Sequence, residues 1–333
     1  MDYSLIWAII IIFGIMMYVL MDGFDLGIGI LFPFVKSTRD RDVMMNTVAP
    51  VWDGNETWLV LGGAGLFGAF PLAYAVVLDA LALPLTLMLI GLIFRGVAFE
   101  FRFKASAHKQ HIWDKAFIGG SIVATFFQGV VLGAFLHGLP VEDRTFAGGR
   151  LDWITPFSLF CGLALLITYA LLGCTWLIMK TQDDLFERMR KLARPLTLVL
   201  LGVIGVVSVW TPLTHPEVAE RWFTLPNFFL LSPVPLLVLV CTYALLRAID
   251  KVAHYKPFLW TLALVFLGYL GLGISIWPNI IPPSISIWEA AAPTQSQAFM
   301  LVGAAIILPL VLAYTAWSYH VFRGKVTYDQ GYH

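Results

Sequence analysis

The chain of 333 residues is 59% hydrophobic and only 13% charged, with 21 basic and 21 acidic residues in balance. Soluble domains carry about 25% charged residues, and apolar segments recur along the whole length, which excludes a soluble domain with a single membrane anchor. The zero net charge gives no indication of a nucleic-acid partner.

Nine segments are long and apolar enough to cross a bilayer, because a membrane helix needs about 20 mostly apolar residues. They predict an all-α, polytopic membrane protein, with residues 1–333 in a single membrane domain. The first segment has no basic leader and is too long for a signal peptide, so we expect it to be retained as a span. The predicted spans are 5–35, 51–70, 75–101, 116–137, 154–179, 195–212, 228–246, 258–276 and 299–321.

The connections between these spans alternate in their content of Lys and Arg. The C-terminal tail and the segments 36–50, 102–115, 180–194 and 247–257 hold 17 of the 21 basic residues, whereas the N-terminus and the other connections hold three. Basic residues are retained in the cytoplasm, which predicts an outside N-terminus and a cytoplasmic C-terminus. An even number of spans would break the alternation.

Charge at membrane depth is concentrated in the first three spans. Such charges are costly, so each one is a candidate functional residue. The first two carboxylates are spaced i, i+3 and share one helix face, and the same spacing recurs at the start of the second span. All except Asp79 are predicted to lie in the cytoplasmic half of the membrane. The residues are Asp22, Asp25, Asp53, Glu56, Asp79, Arg95 and Glu100.

Two interpretations of these charges stay open on the residues alone. A row of protonatable carboxylates that leads inward from the cytoplasm is what a proton-uptake path requires. Alternatively, the carboxylates form ion pairs and helix caps around Arg95, with Asp53 as a helix cap three residues after Pro50. Arg95 and Glu100 lie about 140° apart around a helix, so a partner for Arg95 on the first or second span is expected.

Histidine and cysteine positions argue against a haem or metal held by this chain alone. No histidine lies near the middle of a predicted span, as a bis-histidine haem would require. The HxxH pair of His108 and His111 is isolated in a basic loop and is more typical of a solvated face. The cysteines lie in apolar segments without CxxC spacing and are expected to be small core residues. The residues are His108, His111, His137, His215, His254, His320, His333, Cys161, Cys174 and Cys241.

Small residues and prolines predict local features of the spans. The pairs Gly23/Gly27 and Gly129/Gly133 have the small-xxx-small spacing that permits close helix contact. Pro84 and Pro309 are expected to kink the third and ninth spans, which neighbouring helices tolerate in a membrane.

Five segments together resemble subunit II of cytochrome bd-type quinol oxidases. Three match the family's first, second and third spans, and two match its C-terminal part. The resemblance covers the chain end to end and is greatest to the cyanide-insensitive branch, although the connection 213–227 is shorter than in other members. The segments are MDGFDLG (21–27), APVWDGNETWL (49–59), FRGVAFEFR (94–102), WEA (288–290) and YTAW (314–317).

This resemblance implies a heterodimer with a haem-bearing subunit I in the bacterial inner membrane. The partner would ligate haem b and haem d, or a further haem b in place of haem d, and would oxidise quinol at the outer side. The pair would reduce dioxygen to water with protons from the cytoplasm and so generate a proton gradient. A small accessory subunit and membrane lipid are further expected partners.

The resemblance also implies a fold and a set of site residues. Subunit II of this family has nine spans, in two four-helix bundles plus one peripheral helix. Asp25 and Asp53 match positions assigned to a proton channel at the subunit interface. We add Asp22, Glu56 and Glu100 to this path, with Arg95 as a structural charge and no catalytic residue or metal site in the chain.

Two other functions are alternatives to an oxidase subunit. A secondary transporter often shows repeated halves around a mid-membrane site, but the second half of this chain has no charged counterparts of Asp22 and Asp25. A purely structural subunit would use the same charges only to dock its partner.

Overall fold

The computed structural model describes residues 1–106 and 108–327, so that the predicted position of His333 away from the middle of any span lies outside the described residues. Within this part of the chain, eight helices are long and apolar enough to cross a membrane. The prediction of a polytopic helical membrane protein is therefore confirmed.

Long helices follow one another along the chain with short connections. In chain order they are α1 (Tyr3–Leu31), α2 (Thr38–Asn46), α3 (Trp52–Ala69), α4 (Pro71–Lys104), α5 (Gln110–His137), α6 (Pro156–Lys180), α7 (Asp183–Thr214), α8 (Pro216–Phe223), α9 (Asn227–Leu231), α10 (Pro233–Asp250), α11 (Lys256–Ile276) and α12 (Thr294–Val321). A 3₁₀ turn, Phe32–Phe34, extends α1. Two short antiparallel hairpins complete the fold: β1 (Val141–Glu142) with β2 (Thr145–Phe146), and β3 (Asn279–Ile281) with β4 (Ile285–Ser286).

Each predicted span overlaps one of the long helices. The helix α3 is less apolar than these eight helices, because polar residues in its first two turns lower its mean hydropathy. Several helices continue past the predicted membrane boundary; α7 begins at Asp183 rather than at 195, since the charged segment before the span is also helical. The short helices α2 and α8 and both hairpins had no signal in the apolar pattern.

The two prolines expected to kink their spans behave differently. The helix α4 bends at Leu81, three residues before Pro84, where the backbone leaves helical geometry at φ −116° and ψ 19°. A proline removes one backbone hydrogen bond and crowds the preceding turn, which accounts for the position of the bend. By contrast, α12 continues through Pro309 as one helix.

The helices pack in two groups that share α6. The helix α1 contacts α3, α5 and α6, and α4 lies between α3 and α5. In the second half, α6 contacts α7 and α11, and α10 lies between these two. The helix α12 contacts α1 and α3. Aromatic stacking joins the groups: the rings of Phe24 on α1 and Trp176 on α6 lie 4.2 Å apart with an interplanar angle of 14°.

Glycines allow α1 to approach α6 closely. A Cβ atom on Gly27 would overlap the backbone carbonyl oxygen of Tyr169, and a Cβ on Gly23 would lie 2.8 Å from the Tyr169 ring. On α5, Gly129 and Gly133 approach the backbone of α6 at Cys161 and Ser158 in the same way. Both small-xxx-small predictions are confirmed. The three cysteines are free and buried, as expected for core residues.

The connections gather at two ends of the molecule. At one end, which we call the basic end, lie the segments that hold most of the Lys and Arg residues; there the ammonium group of Lys180 donates to the carbonyl oxygen of Phe322. At the opposite end, the Trp288 indole donates to the carboxylate of Asp2 at 2.9 Å. The backbone N–H of Leu5, and after it this indole bond, hold the pKa of Asp2 below its ordinary value. The two sets of connections that differ in sequence are therefore also separate in space.

Replacing Gly27 by alanine tests the α1–α6 contact. Because the new methyl group would overlap the α6 backbone, we expect Gly27→Ala to destabilise the protein by about 1–3 kcal/mol, as overpacking typically does. Gly205→Ala is the matched control, because Gly205 is also helical but has no atom within 4 Å of its Cβ position. The measurement is the thermal unfolding midpoint of the purified protein. Equal midpoints for the two variants would contradict the contact.

Candidate functional site

The interior of the first group of helices contains a buried arginine paired with a buried aspartate. Arg95 on α4 and Asp22 on α1 are both 0% exposed, and the Arg95 Nη2 atom donates to Asp22 Oδ1 at 2.8 Å. Their positions along the helices agree, since Asp22 and Arg95 each lie nine residues before the end of their helix, about 14 Å along the axis. The expected partner of Arg95 on the first or second span is thus confirmed.

A second carboxylate approaches the same guanidinium from α3. The Arg95 Nη2 atom also donates to Glu56 Oε2 at 3.2 Å. The guanidinium lies over the ring of Trp52, with 5.4 Å between its carbon and the ring centroid, and Trp52 in turn stacks on Phe99. Attraction to an aromatic face adds to the ionic contacts of a cation held away from water. Arg95 therefore joins α1, α3 and α4.

Asp25 occupies the same face of α1 as Asp22, one turn closer to the basic end, but its partner is neutral. The amide nitrogen of Asn55 donates to Asp25 Oδ2 at 2.8 Å, and both side chains are buried. The carbonyl oxygen of the same amide accepts a hydrogen bond from the Tyr319 hydroxyl of α12 at 2.8 Å. Among the described residues, no cation bonds to Asp25, and its Oδ1 atom has no hydrogen-bond partner.

The other predicted site residues lie outside this buried group. Asp53 is exposed in the first turn of α3, on the face that also carries Val60 and Phe67. The cap of α3 is Val51, which makes no side-chain cap bond, so the helix-cap interpretation of Asp53 is wrong. Asp53 is the second helical residue rather than the residue before the helix.

Glu100 and Asp79 are exposed as well. Glu100 pairs with Lys104 one turn along α4, at 3.4 Å, and both side chains are more than half exposed. Asp79 lies on the exposed face of α4, toward the opposite end of the molecule. Of the residues predicted for a proton path, the structure brings together Asp22, Asp25 and Glu56 with Arg95, and it places Glu100 elsewhere.

Sequence reasoning missed the neutral members of this group. Asn55 lies within the APVWDGNETWL segment and Tyr319 lies just after YTAW, so a search restricted to charged residues passes over both. It also missed a second ionic network at the basic end, where buried Arg102 bonds to Asp114 and Asp42, each at 2.5 Å, and Arg41 bonds to Asp114 at 2.7 Å. The i, i+12 separation of Arg102 and Asp114 across a loop gives no periodic signal.

The histidines of the described residues lie away from the interior of the helices. An axial histidine must stand beside an apolar cavity inside the helices. The six histidines within residues 1–327 instead lie in connections or at the ends of helices; for example, His137 ends α5 and His215 caps α7. Within that same range, no group of three or more His, Cys, Asp or Glu residues could hold a metal ion.

The arrangement contains a carboxyl group that is chemically able to hold a proton. The Asp22 carboxylate neutralises Arg95, whereas the Asp25 carboxyl group faces only neutral donors. A carboxyl group in such surroundings can carry a proton, and membrane carboxyl groups of this kind often belong to proton relays. Asn55 and Tyr319 extend the hydrogen bonds from Asp25 to the basic end of α12.

Comparison with known proteins identifies a family model and several relatives that match nearly the whole chain. A family model described as "Cytochrome bd terminal oxidase subunit II" matches residues 3–322. The chain is 30% identical to cytochrome bd-I ubiquinol oxidase subunit 2 of Escherichia coli strain K12, over 98% of this chain and 96% of that one. It is 28% identical to cytochrome bd ubiquinol oxidase subunit 2 of Bacillus subtilis, over 98% and 97% of the two chains.

A solved structure shares the fold. A chain of the bd oxidase from Geobacillus thermodenitrificans superposes with a TM-score of 0.80, covering 96% of this chain and 99% of that chain at 15% sequence identity.

Removing the cation at the centre of the site tests its structural role. Arg95→Gln leaves Asp22 buried without a counter-ion, and we expect a loss of about 3–5 kcal/mol, seen as a lower thermal midpoint and a lower yield. The double variant Arg95→Gln/Asp22→Asn should recover part of the loss. Lys104→Gln is the control, because its ion pair is exposed and is worth at most about 1 kcal/mol. An Arg95→Gln variant as stable as Lys104→Gln would contradict this account.

Proposed function

We propose a working mechanism on the premise that this chain belongs to the cytochrome bd terminal oxidase subunit II family, which matches it over residues 3–322. The chain is subunit II of a bd-type quinol oxidase, and it is therefore part of an oxidoreductase complex with subunit I in the bacterial inner membrane. In our proposal the complex couples quinol oxidation to reduction of dioxygen to water. This chain supports the haem-bearing partner and supplies protons.

In this proposal the chain crosses the membrane nine times. Eight of the spans are the apolar helices, and the ninth is α3, in which Glu56 bonds to Arg95 of α4. The helices α1, α3, α4 and α5 form one four-helix bundle, α6, α7, α10 and α11 form the other, and α12 is peripheral; the helix contacts support this arrangement. The Lys and Arg content of the basic end assigns that end to the cytoplasm.

The haems belong to subunit I in this proposal. They would supply electron transfer and oxygen binding, as two haems b and a haem d or a haem b in its place. The placement of the described histidines at helix ends supports ligation by the partner. This chain's own contribution is then to shape the partner's surroundings and to deliver protons from the cytoplasmic side.

The proton role is supported by a difference between two carboxylates on one face of α1: one has a charged partner and the other a neutral one. Arg95 holds Asp22 as its counter-ion and also bonds to Glu56. Asp25 lies nearer the basic end and accepts its hydrogen bond from the neutral Asn55. A carboxyl group held by a neutral donor can take up a proton and release it without leaving an arginine unpaired, so Asp25 is the residue we assign as carrier.

Asp53 is the outer member of the path in this proposal. It lies one turn from Glu56 at the basic end of α3, on the exposed face of that helix. An exposed apolar helix face that carries a carboxylate suits contact with a partner subunit better than contact with lipid. We therefore assign the α3 face with Asp53, Val60 and Phe67 to the surface against subunit I, where Asp53 would collect protons from the cytoplasm.

Tyr319 supports Asp25 from the peripheral helix. Its hydroxyl donates to Asn55, which orients the amide so that its nitrogen faces Asp25. Asp22, Glu56 and Arg95 keep this hydrogen-bonded group in place. Glu100, which pairs with Lys104 in solvent, contributes negative charge near the cytoplasmic mouth and is not required for transfer.

Neutral replacements of the two carboxylates test the proton role. We expect Asp25→Asn and Asp53→Asn to slow quinol-dependent oxygen consumption by roughly tenfold or more, since positioned proton transfer commonly contributes about 10²–10⁴-fold. Haem absorbance per assembled complex should stay unchanged. Glu100→Gln is the matched control and should keep wild-type turnover.

The outcome separates the remaining alternatives. If turnover per complex stays normal in both Asn variants while the amount of assembled complex falls, the charges only dock the partner and the proton role is wrong. A purified chain without haem or a co-purifying subunit would contradict the assembly itself.

A further inference from the structure

A cleft opens between α10 and α11 at the basic end of the second half, far along the chain from the proton site. Its volume is about 590 Å³, and its walls come from the last turns of α10, the connection after it and the first turns of α11. No residue of the proposed proton path lines it.

Three basic side chains line this cleft without a carboxylate among them. They are Arg247, Lys251 and Lys256. Within the described residues, none forms an ion pair; the nearby Asp250 is bonded to Arg194 on α7 at 2.7 Å. Arg247 lies over the ring of Tyr243, with 5.6 Å from its guanidinium carbon to the ring centroid. The cleft thus concentrates positive charge that the chain itself leaves unneutralised.

The part of the cleft nearer the middle of the membrane is apolar. Leu259 and Trp260 are 54% and 36% exposed, and Ala263 follows one turn deeper along α11. Aromatic residues of this kind favour the level of lipid headgroups. The cleft therefore changes from cationic to apolar over about two turns of α11, at the depth where a phospholipid changes from headgroup to acyl chain.

We propose that this cleft is a binding site for an anionic phospholipid. The lipid phosphate contacts Arg247, Lys251 and Lys256, and one acyl chain lies along Leu259, Trp260 and Ala263. Basic pockets between membrane helices recognise anionic headgroups through such clusters. A soluble phosphate would use the cations but would gain nothing from the exposed apolar wall, so the two parts of the cleft together select a lipid.

Lipid retention by the assembled oxidase tests this site. The variant carries Arg247→Gln, Lys251→Gln and Lys256→Gln, and the control carries Lys109→Gln, Arg188→Gln and Lys191→Gln, which remove as many exposed charges from the same end. The wild-type complex and the two variant complexes are delipidated, incubated with phosphatidylglycerol or phosphatidylcholine in mixed micelles, and analysed by native mass spectrometry. We expect wild type and control to retain one phosphatidylglycerol more than the cleft variant, whose affinity should fall roughly tenfold or more.

Two further measurements on the wild-type complex test the lipid site if the triple variant does not assemble. Phosphatidylglycerol bound to the wild-type complex should be released as salt concentration rises, because the contact is electrostatic, whereas inorganic phosphate at equal concentration should not displace it. Equal retention of phosphatidylcholine, equal retention by the cleft variant, or full displacement by inorganic phosphate would each overturn the assignment.

Discussion

The ion pair between Arg95 and Asp22 determines how three helices meet inside the membrane. A lone charge at that depth would be costly, so the guanidinium is tied to Asp22 on α1, to Glu56 on α3 and to the face of Trp52. The nearest carboxylate differs in its partner. Arg95 pairs with Asp22, whereas Asp25 accepts its hydrogen bond from the neutral Asn55, and for this reason we assign Asp25 as the proton carrier in our proposal.

Much of this architecture was predictable from the sequence, for physical reasons that can be named. Spans are visible because the bilayer demands long apolar segments, and the partner of Arg95 followed from helix geometry. The roles of individual charges were less visible. Asp53 and Glu56 have the i, i+3 spacing, yet Asp53 faces outward and Glu56 contacts Arg95, because residues three apart differ by about 60° around a helix. The bond between Tyr319 and Asn55 joins helices far apart in sequence, and the Arg102–Asp114 bond crosses the loop between two consecutive helices. Periodicity reveals neither contact.

The two halves of the chain serve different purposes in this account. The first half has buried charge, tight glycine contacts with α6 and a second ionic network at the basic end. The second half keeps its charges at its ends and exposes more apolar surface to its surroundings. Proton delivery and contact with subunit I are thus assigned to the first half, while the cleft between α10 and α11 anchors the second half to lipid.

Proton uptake during a single turnover tests the central assignment most directly. The assembled oxidase is reconstituted in vesicles with the basic end facing an enclosed pH indicator, and oxygen is supplied to the fully reduced enzyme. The account predicts that Asp25→Asn delays proton uptake from the enclosed side by at least roughly tenfold, while Asp25→Glu, which retains a carboxyl group, keeps most of the rate. Uptake by Asp25→Asn at the wild-type rate would contradict the assignment of Asp25 as proton carrier.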